Sequence, residues 1–269
     1  MSPTSTPGCS TPLYLSLTKA NLNLAVASDN YPGTSNFISL ELELLFMVKL
    51  VLGVDEAGRG AVVGPLCIGA VVIEEGREDE LKRMGVKDSK KLTRKKRESL
   101  EEKIKGIAED FAVVKISAKK IDEEMVNRSL NMIESERMAG LIDALRPDKV
   151  IIDAMEARTE KVERVIRGLL CDDLKDVEIV SENRADENHV VVSAASVLAK
   201  VTRDRSVSSI EKRTGWVIGN GYPSDERTKK FLRRVIDQEG TFPETVRRSW
   251  VTSQRIIEER NQGDLSDFC

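Results

Sequence analysis

The sequence predicts an α/β domain, built on a mixed β-sheet flanked by helices, with a helical C-terminal lobe. Two apolar runs, near Leu50 and Leu66, are separated only by a short glycine-containing turn, as in a strand meander. Two shorter apolar runs, near Val150 and Ile179, instead alternate with helical stretches. A meander followed by this alternation indicates a mixed sheet. Beyond Trp216 only helical patterns remain, which predicts the C-terminal lobe.

The first predicted strand ends in two adjacent carboxylates, Asp55 and Glu56. Successive strand side chains point to opposite faces. Both acids can therefore serve one site only if the strand twists or ends near Glu56, or if the longer Glu56 side chain reaches around. Because an unpaired buried carboxylate is costly, the pair indicates a functional site.

The turn after these acids contains Gly58, Arg59 and Gly60. Glycine accepts a positive φ and lets a ligand approach the backbone, and Arg59 offers a fork of donors that matches phosphate. A dinucleotide-binding loop is the competing interpretation. It fits poorly, because Gly64 falls one position late for GxGxxG and Pro65 with an apolar run follows it. A strand, a tight turn and a second strand are predicted instead.

The remaining elements follow in order along the chain. Thr93 is a suitable N-cap for the first long helix. The helices are predicted at 94–109, 131–145 and 159–170, with a further helical stretch before 131, and the strands at 66–73, 111–117, 149–154 and 177–182. Asp186 and Glu187 are predicted to begin a long helix with apolar residues at helical spacing. Tyr222 lies at the tip of a glycine-rich loop, and helices at about 226–240 and 247–260 complete the chain.

The chain is predicted to divide into three parts. Residues 1–46 are rich in Ser, Thr, Pro and Asn, which predicts a poorly ordered or loosely attached extension. A misassigned start codon, with Met47 as the true first residue, is the alternative. Residues 47–215 are the predicted catalytic domain, and residues 216–269 form the helical lobe.

Composition excludes several classes of protein. A formal net charge of −3 argues against a general polycation, and 4% aromatic residues argue against a base-stacking single-strand binder. Four scattered cysteines without a CxxC pair indicate a reduced, cytoplasmic protein. No apolar run reaches membrane-spanning length, and the N-terminus resembles no signal peptide.

Acidic residues stand at three comparable places, with Asp153 ending the fourth strand and Asp186 following the fifth. Clustered carboxylates suit hard divalent cations such as Mg²⁺, and two such ions can clamp the attacking and leaving oxygens of a phosphoryl transfer. Taken singly, Asp153 and Asp186 are explained as well by a solvated strand end or an N-cap. Together with Asp55 and Glu56 they favour a metal site.

Several strings carry a resemblance to one family. GVDEAGRG, DSKKL, VIIDA, ENRAD with VVSAASVLAK, GYPSD and RRSW occur in the order seen in ribonuclease HII, and the match resembles its archaeal branch from 47 to about 260. The resemblance implies an RNase H-like fold and a monomeric endonuclease dependent on Mg²⁺ or Mn²⁺. It implies hydrolysis of the RNA strand of RNA/DNA hybrids. It also implies incision of duplex DNA 5′ of an embedded ribonucleotide, leaving 5′-phosphate and 3′-hydroxyl ends.

The resemblance also assigns roles to residues. The metal-binding and catalytic carboxylates would be Asp55, Glu56, Asp153 and Asp186. The backbone of Gly58, Arg59 and Gly60 would read the ribose 2′-hydroxyl, and Tyr222 would pack on the sugar at the RNA-to-DNA junction. The implied phosphate contacts are Ser89, Lys90, Ser193, Ser196, Lys200 and Arg203. A nucleic-acid-binding protein without catalysis is the competing hypothesis. It predicts loss of at least one acid, and all four are present.

Overall fold

The computed structural model describes residues 48–86 and 92–266, so Ser89, Lys90 and the predicted extension at 1–46 lie outside it. A five-stranded sheet with the order β3-β2-β1-β4-β5 forms the centre of the fold. Its strands are β1 (Leu50–Ala57), β2 (Leu66–Glu74), β3 (Asp110–Ile116), β4 (Lys149–Asp153) and β5 (Glu178–Glu182). β1, β2 and β3 pair antiparallel, whereas β4 pairs parallel with both β1 and β5. The mixed sheet is thus confirmed.

Nine α-helices surround or follow the sheet in the described part of the chain. They are α1 (Glu78–Arg83), α2 (Arg94–Ile107), α3 (Ala118–Glu124), α4 (Leu130–Leu145), α5 (Thr159–Leu169), α6 (Ala185–Asn188), α7 (Val190–Thr214), α8 (Glu226–Glu239) and α9 (Val251–Ser266). The predicted cap of α2 is confirmed, since Thr93 Oγ1 accepts from the Lys96 amide at 3.3 Å. Sequence patterns missed α1, which is short and highly polar. None of the described helices is both long and apolar enough to cross a bilayer.

The single long helix predicted from Asp186 is wrong. His189, with φ −118° and ψ 114°, is extended and separates the one-turn helix α6 from α7. Asp186 therefore belongs to α6, which follows β5 directly. The last helix also begins later than predicted, at Val251, so Arg247 lies in the loop before α9.

The sheet is covered on both faces. Alternate residues of β1 enter two different hydrophobic clusters, as the period-two geometry of a strand requires. Leu52 packs with residues of α4 and α5, whereas Val51 packs with residues of α2 and α7. The site described below lies at the edge of this sandwich, where β1 and β4 end.

Two glycines allow α7 to lie directly on the sheet. A Cβ atom added to Gly53 of β1 would lie 2.4 Å from the carbonyl carbon of Val191. One added to Gly69 of β2 would lie 2.3 Å from the carbonyl oxygen of Ala195. No side chain fits between these backbones, so the main chain of α7 lies directly against that of β1 and β2.

The C-terminal lobe packs against the turn that follows β1. Val62 and Val63 share a hydrophobic cluster with Phe231 of α8 and with Val246. The contact includes the main chain, because Val63 and Val246 form an isolated β-bridge and the Arg247 amide donates to the Val62 carbonyl at 2.9 Å. The lobe therefore supports the segment that leads from the acidic pair to β2.

Candidate active site

The strand register brings Asp55 and Asp153 together. Val54 of β1 is paired in parallel with Ile152 of β4, so the next residue on each strand is an aspartate. The carboxyl ends of neighbouring parallel strands meet at the same edge of a sheet, where α/β proteins commonly bind ligands. Asp55 is buried and Asp153 is half-buried.

The short helix α6 adds the third carboxylate. Asp153 Oδ1 accepts the Ala185 amide at 3.0 Å, and this bond holds the start of α6 against the end of β4. Arg184, just before it, is in the left-handed region with φ 64° and turns the chain there. One carboxylate oxygen from each of Asp55, Asp153 and Asp186 lies within 4.8 Å of the others.

Glu56 stands beside this cluster. Its side chain is half-buried, yet Oε2 is enclosed and has no hydrogen-bond partner among the described residues. Burial raises the pKa of Glu56 well above its usual value, and the charges of Asp55, Glu134 and Asp153 raise it further. The sequence prediction left open how Glu56 could join Asp55, and β1 does not end between them but continues to Ala57.

Ser196 and Lys200 of α7 face Asp55. The Ser196 hydroxyl hydrogen-bonds the Asp55 side chain and accepts from Lys200 Nζ at 2.6 Å. Burial nevertheless dominates and raises the pKa of Asp55 to about 7, with Ser196 and Lys200 opposing the rise. The structure thus places these two predicted phosphate contacts against a carboxylate, one helical turn apart.

The turn after β1 is fastened to Tyr222. Gly58 has φ 90°, a conformation that glycine accepts readily, whereas Gly60 does not have a positive φ. The Gly58 amide donates to the Tyr222 hydroxyl at 3.1 Å. Both glycines, Tyr222 and Glu56 line one pocket together with Lys200 and Arg203. Glu56, which lies beside Asp55 and Asp153, therefore shares a single cleft with the turn.

The arginine fork of the turn is engaged inside the protein. Arg59 Nη1 donates to the Met155 carbonyl at 2.7 Å, Nη2 donates to Asn131, and Nε lies 3.2 Å from Glu134. The sequence interpretation of this side chain as a free phosphate fork is therefore corrected. What Arg59 offers a ligand is its main chain.

Two of the predicted phosphate contacts are buried. The Arg203 guanidinium lies 4.5 Å from the centre of the Tyr222 ring, and Nη2 donates to the Asn220 carbonyl, so this arginine supports the Tyr222 loop from beneath. Ser193 is fully buried, and its hydroxyl donates to the Val86 carbonyl at 2.7 Å. The structure does not bring Ser193 to the carboxylate cluster.

Two residues of the site escaped the sequence analysis. Glu134 of α4 is completely buried and holds Arg59, and Arg247 is completely buried beneath the turn. A carboxylate on the apolar face of α4 was a signal for Glu134, since such a group needs a buried partner. The signal for Arg247 was the string RRSW, whose first arginine is Arg247 and had been given no role. His189, the only histidine, contacts Glu182 at 3.0 Å.

The donor set fits a divalent cation. It consists of carboxylate oxygens, which hard ions such as Mg²⁺ and Mn²⁺ prefer. The buried Oε2 of Glu56 is a further oxygen for which the protein supplies no donor. Because burial disfavours the charged forms of Asp55 and Glu56, a bound cation would relieve a cost built into the fold.

Comparison with known proteins gives a consistent result. A family model described as Ribonuclease HII matches residues 52–253. Ribonuclease HII of Thermococcus sibiricus is 44% identical over 222 residues, which is 80% of this chain and 96% of that protein. The crystal structure of ribonuclease H2 from Pyrococcus horikoshii OT3 is similar with a TM-score of 0.73 and 39% identity, over 79% of this chain and 99% of that one. The RNase HII of the Archaeoglobus fulgidus PCNA:RNase HII complex is similar with a TM-score of 0.68 and 36% identity, over 75% of this chain and 95% of that one.

Proposed function

The chain belongs to the ribonuclease HII family of endonucleases, which act on RNA/DNA hybrids with divalent metals, and from this premise we propose a more specific activity. The enzyme incises duplex DNA on the 5′ side of an embedded ribonucleotide, as well as hydrolysing the RNA strand of hybrids. The products carry 5′-phosphate and 3′-hydroxyl ends. Asp55, Glu56, Asp153 and Asp186 would hold the Mg²⁺ or Mn²⁺ ions.

One observation carries the proposal: Glu56, which lies beside Asp55 and Asp153, lines one cleft together with the Gly58–Gly60 backbone and Tyr222. A 2′-hydroxyl is the only local mark that separates a ribonucleotide from a deoxyribonucleotide. A main-chain donor on a glycine turn can approach it closely, and a site built around such a bond strongly rejects a substrate that lacks it. The Tyr222 ring would pack on the adjoining deoxyribose, where a further hydroxyl would crowd it.

The products follow from which bond breaks. Water attacks the phosphorus in line with the 3′-oxygen, the P–O3′ bond breaks, and the water oxygen stays on the phosphate as part of the 5′-phosphate end. Bound divalent cations would stabilise the charge on the phosphate and favour deprotonation of the water. Lys200, held by Ser196 beside Asp55, adds a positive charge at the edge of the cleft.

The test is cleavage of a labelled duplex that contains one ribonucleotide. With Mg²⁺ or Mn²⁺ we expect one cut 5′ of the ribonucleotide, and with EDTA no cut. The all-DNA duplex of the same sequence is the control and should stay intact. A 2′,3′-cyclic phosphate among the products, or cleavage in EDTA, would contradict the mechanism. Tight binding without cleavage under all metal conditions would instead support a non-catalytic binding protein.

We also propose that residues 1–46 are dispensable. Their composition cannot sustain a packed core. The three relatives compared above match this chain over 95–99% of their own length, and those matches take up only 75–80% of this chain. A protein that starts at Met47 should keep its melting temperature within about 2 °C, which corresponds to under ~1 kcal/mol for a domain of this size. Its turnover should match that of the full chain. A large loss of either would show that the 38–46 segment contributes to the domain. The expectations of a monomer and of a cytoplasmic location stay predictions.

A further inference from the structure

Arg247 makes three contacts with the turn and is not among the residues that line the cleft. Its Nη1 donates to the Arg59 carbonyl at 2.7 Å, and its Nη2 donates to the Gly58 carbonyl at 2.7 Å and approaches the Gly64 carbonyl at 3.3 Å. The side chain is completely buried and lies 4.7 Å from the centre of the Trp250 ring. Among the described residues it forms no ion pair, so backbone carbonyls are its main polar partners.

These bonds fix the direction of two amide groups. In a trans peptide the C=O and N–H bonds point in opposite directions, and the described chain has no cis peptides. When the Gly58 and Arg59 carbonyls point at Arg247, the Arg59 and Gly60 amides must point away from it. Neither amide donates to another described residue. The amides on either side do: that of Ala61 donates to the Gly58 carbonyl, and that of Gly58 donates to the Tyr222 hydroxyl.

We propose that Arg247 is a positioning residue that aims the Arg59 and Gly60 amides at the 2′-hydroxyl of the substrate. This inference rests on the proposed function and assigns part of its specificity to the C-terminal lobe, 188 positions away from Arg59. Only an arginine suits the position. Its planar fork carries donors in fixed directions that can bind two successive carbonyls, whereas a lysine offers one ammonium group on a flexible chain.

The experiment measures a ratio, so that partial unfolding cancels. Affinities are measured for a duplex with one ribonucleotide and for the all-DNA duplex of the same sequence, both with EDTA to prevent cleavage. In Arg247→Lys the preference for the ribonucleotide duplex should fall about tenfold, comparable to the loss of one well-placed hydrogen bond. Affinity for the all-DNA duplex should stay within about twofold, because phosphate contacts carry that binding.

Two control variants separate positioning from stability. Ser253→Ala removes the 2.7 Å bond from the Ser253 hydroxyl to the Arg247 carbonyl, which loosens the same loop but keeps the guanidinium. Arg248→Lys changes the adjacent, exposed arginine, which donates to the Phe242 carbonyl. Both should keep the wild-type ratio.

The outcomes decide the inference. An unchanged ratio in Arg247→Lys overturns it. The inference is also overturned if Ser253→Ala lowers the melting temperature as much as Arg247→Lys does and its affinity ratio falls tenfold too. Loosening of the loop would then explain the effect. If Arg247→Lys does not fold, Trp250→Phe replaces it, because this change alters the ring beside the guanidinium. The inference then fails unless Trp250→Phe lowers the affinity ratio more than Ser253→Ala does. If the wild type itself shows no preference for the ribonucleotide duplex, the proposed function fails instead.

Discussion

Replacing Asp55 with asparagine should abolish cleavage, lowering the rate by at least about a thousandfold. One carboxylate oxygen of Asp55 lies within 4.8 Å of an oxygen of Asp153 and of one of Asp186. The Asp55 side chain also forms a hydrogen bond with Ser196. A metal site supplies several kcal/mol of transition-state stabilisation, and each ~1.4 kcal/mol is tenfold in rate. The measurement is single-turnover cleavage under matched Mg²⁺. A variant that cuts at the wild-type rate would remove Asp55 from the site.

The same substitution should not destabilise the metal-free protein at neutral pH. Burial raises the pKa of Asp55 to about 7 from 3.8 in a free side chain. The native state therefore binds the proton more tightly than the unfolded state, so this group contributes stability below pH ~4 that is lost as the pH rises through about 7. Asparagine stays neutral. In EDTA at pH 8 the variant should melt at the same temperature as wild type or up to about 4 °C higher, on the scale of ~1 kcal/mol for a domain of this size.

Asp148→Asn is the matched control. This carboxylate accepts the Leu50 amide at 2.7 Å, at the opposite end of the same strand. Cleavage should be unchanged there, while stability should fall or stay level across the same pH range. If Asp55→Asn lost several degrees at pH 8 in EDTA, the carboxylate would be a structural group rather than one held at a cost for metal binding.

Replacing Tyr222 with alanine should lower cleavage at a single embedded ribonucleotide by about 10- to 100-fold. This is the equivalent of roughly 1–3 kcal/mol, typical of an aromatic contact to nucleic acid. The loss on a continuous RNA/DNA hybrid should be much smaller, because in the proposed binding mode the ring packs on a deoxyribose that only the junction provides. The protein should remain folded, since Tyr222 is half-exposed and belongs to none of the hydrophobic clusters that the described residues form.

Tyr222→Phe separates the ring from the hydroxyl. Phenylalanine keeps the ring over Arg203 but removes the oxygen that accepts the Gly58 amide. Since this bond holds the turn on every substrate, we expect a loss of a few-fold that is equal for both duplexes. The comparison of kcat/KM for the two variants on the two substrates is the measurement. Equal losses for Tyr222→Ala on both would mean that the ring does not read the junction.

Much of this site was predictable because strand ends are marked in the sequence. The apolar runs that end in Asp55 and Asp153 predicted both strands, and the parallel register then places the two acids side by side. The position of Asp186 was less predictable. No proline or glycine interrupts the segment from Asp186 to Val190, and the break at His189 arises where α6 is tied to Asp153 through the Ala185 amide.

Contacts between distant residues explain what the sequence could not show. The spacing of Ser196 and Lys200 places them on one helix face, but only the packing of α7 on the sheet turns that face towards Asp55. Likewise Arg247 and Arg59 are 188 positions apart, and no periodicity links them. Buried charges inside apolar surroundings remain the most useful local hint, because they require a partner somewhere in the fold.

The contact of α7 with Gly53 and Gly69 has a consequence for attempts to redesign the enzyme. At these two glycines main chain lies against main chain, and even the Cβ of an alanine would lie 2.4 Å and 2.3 Å from backbone atoms of α7. Libraries directed at Gly53 and Gly69 should therefore yield inactive proteins rather than altered ones. The half-exposed Tyr222 side chain is not held in such a close backbone contact. Variants with new sugar preferences should therefore be sought at this position.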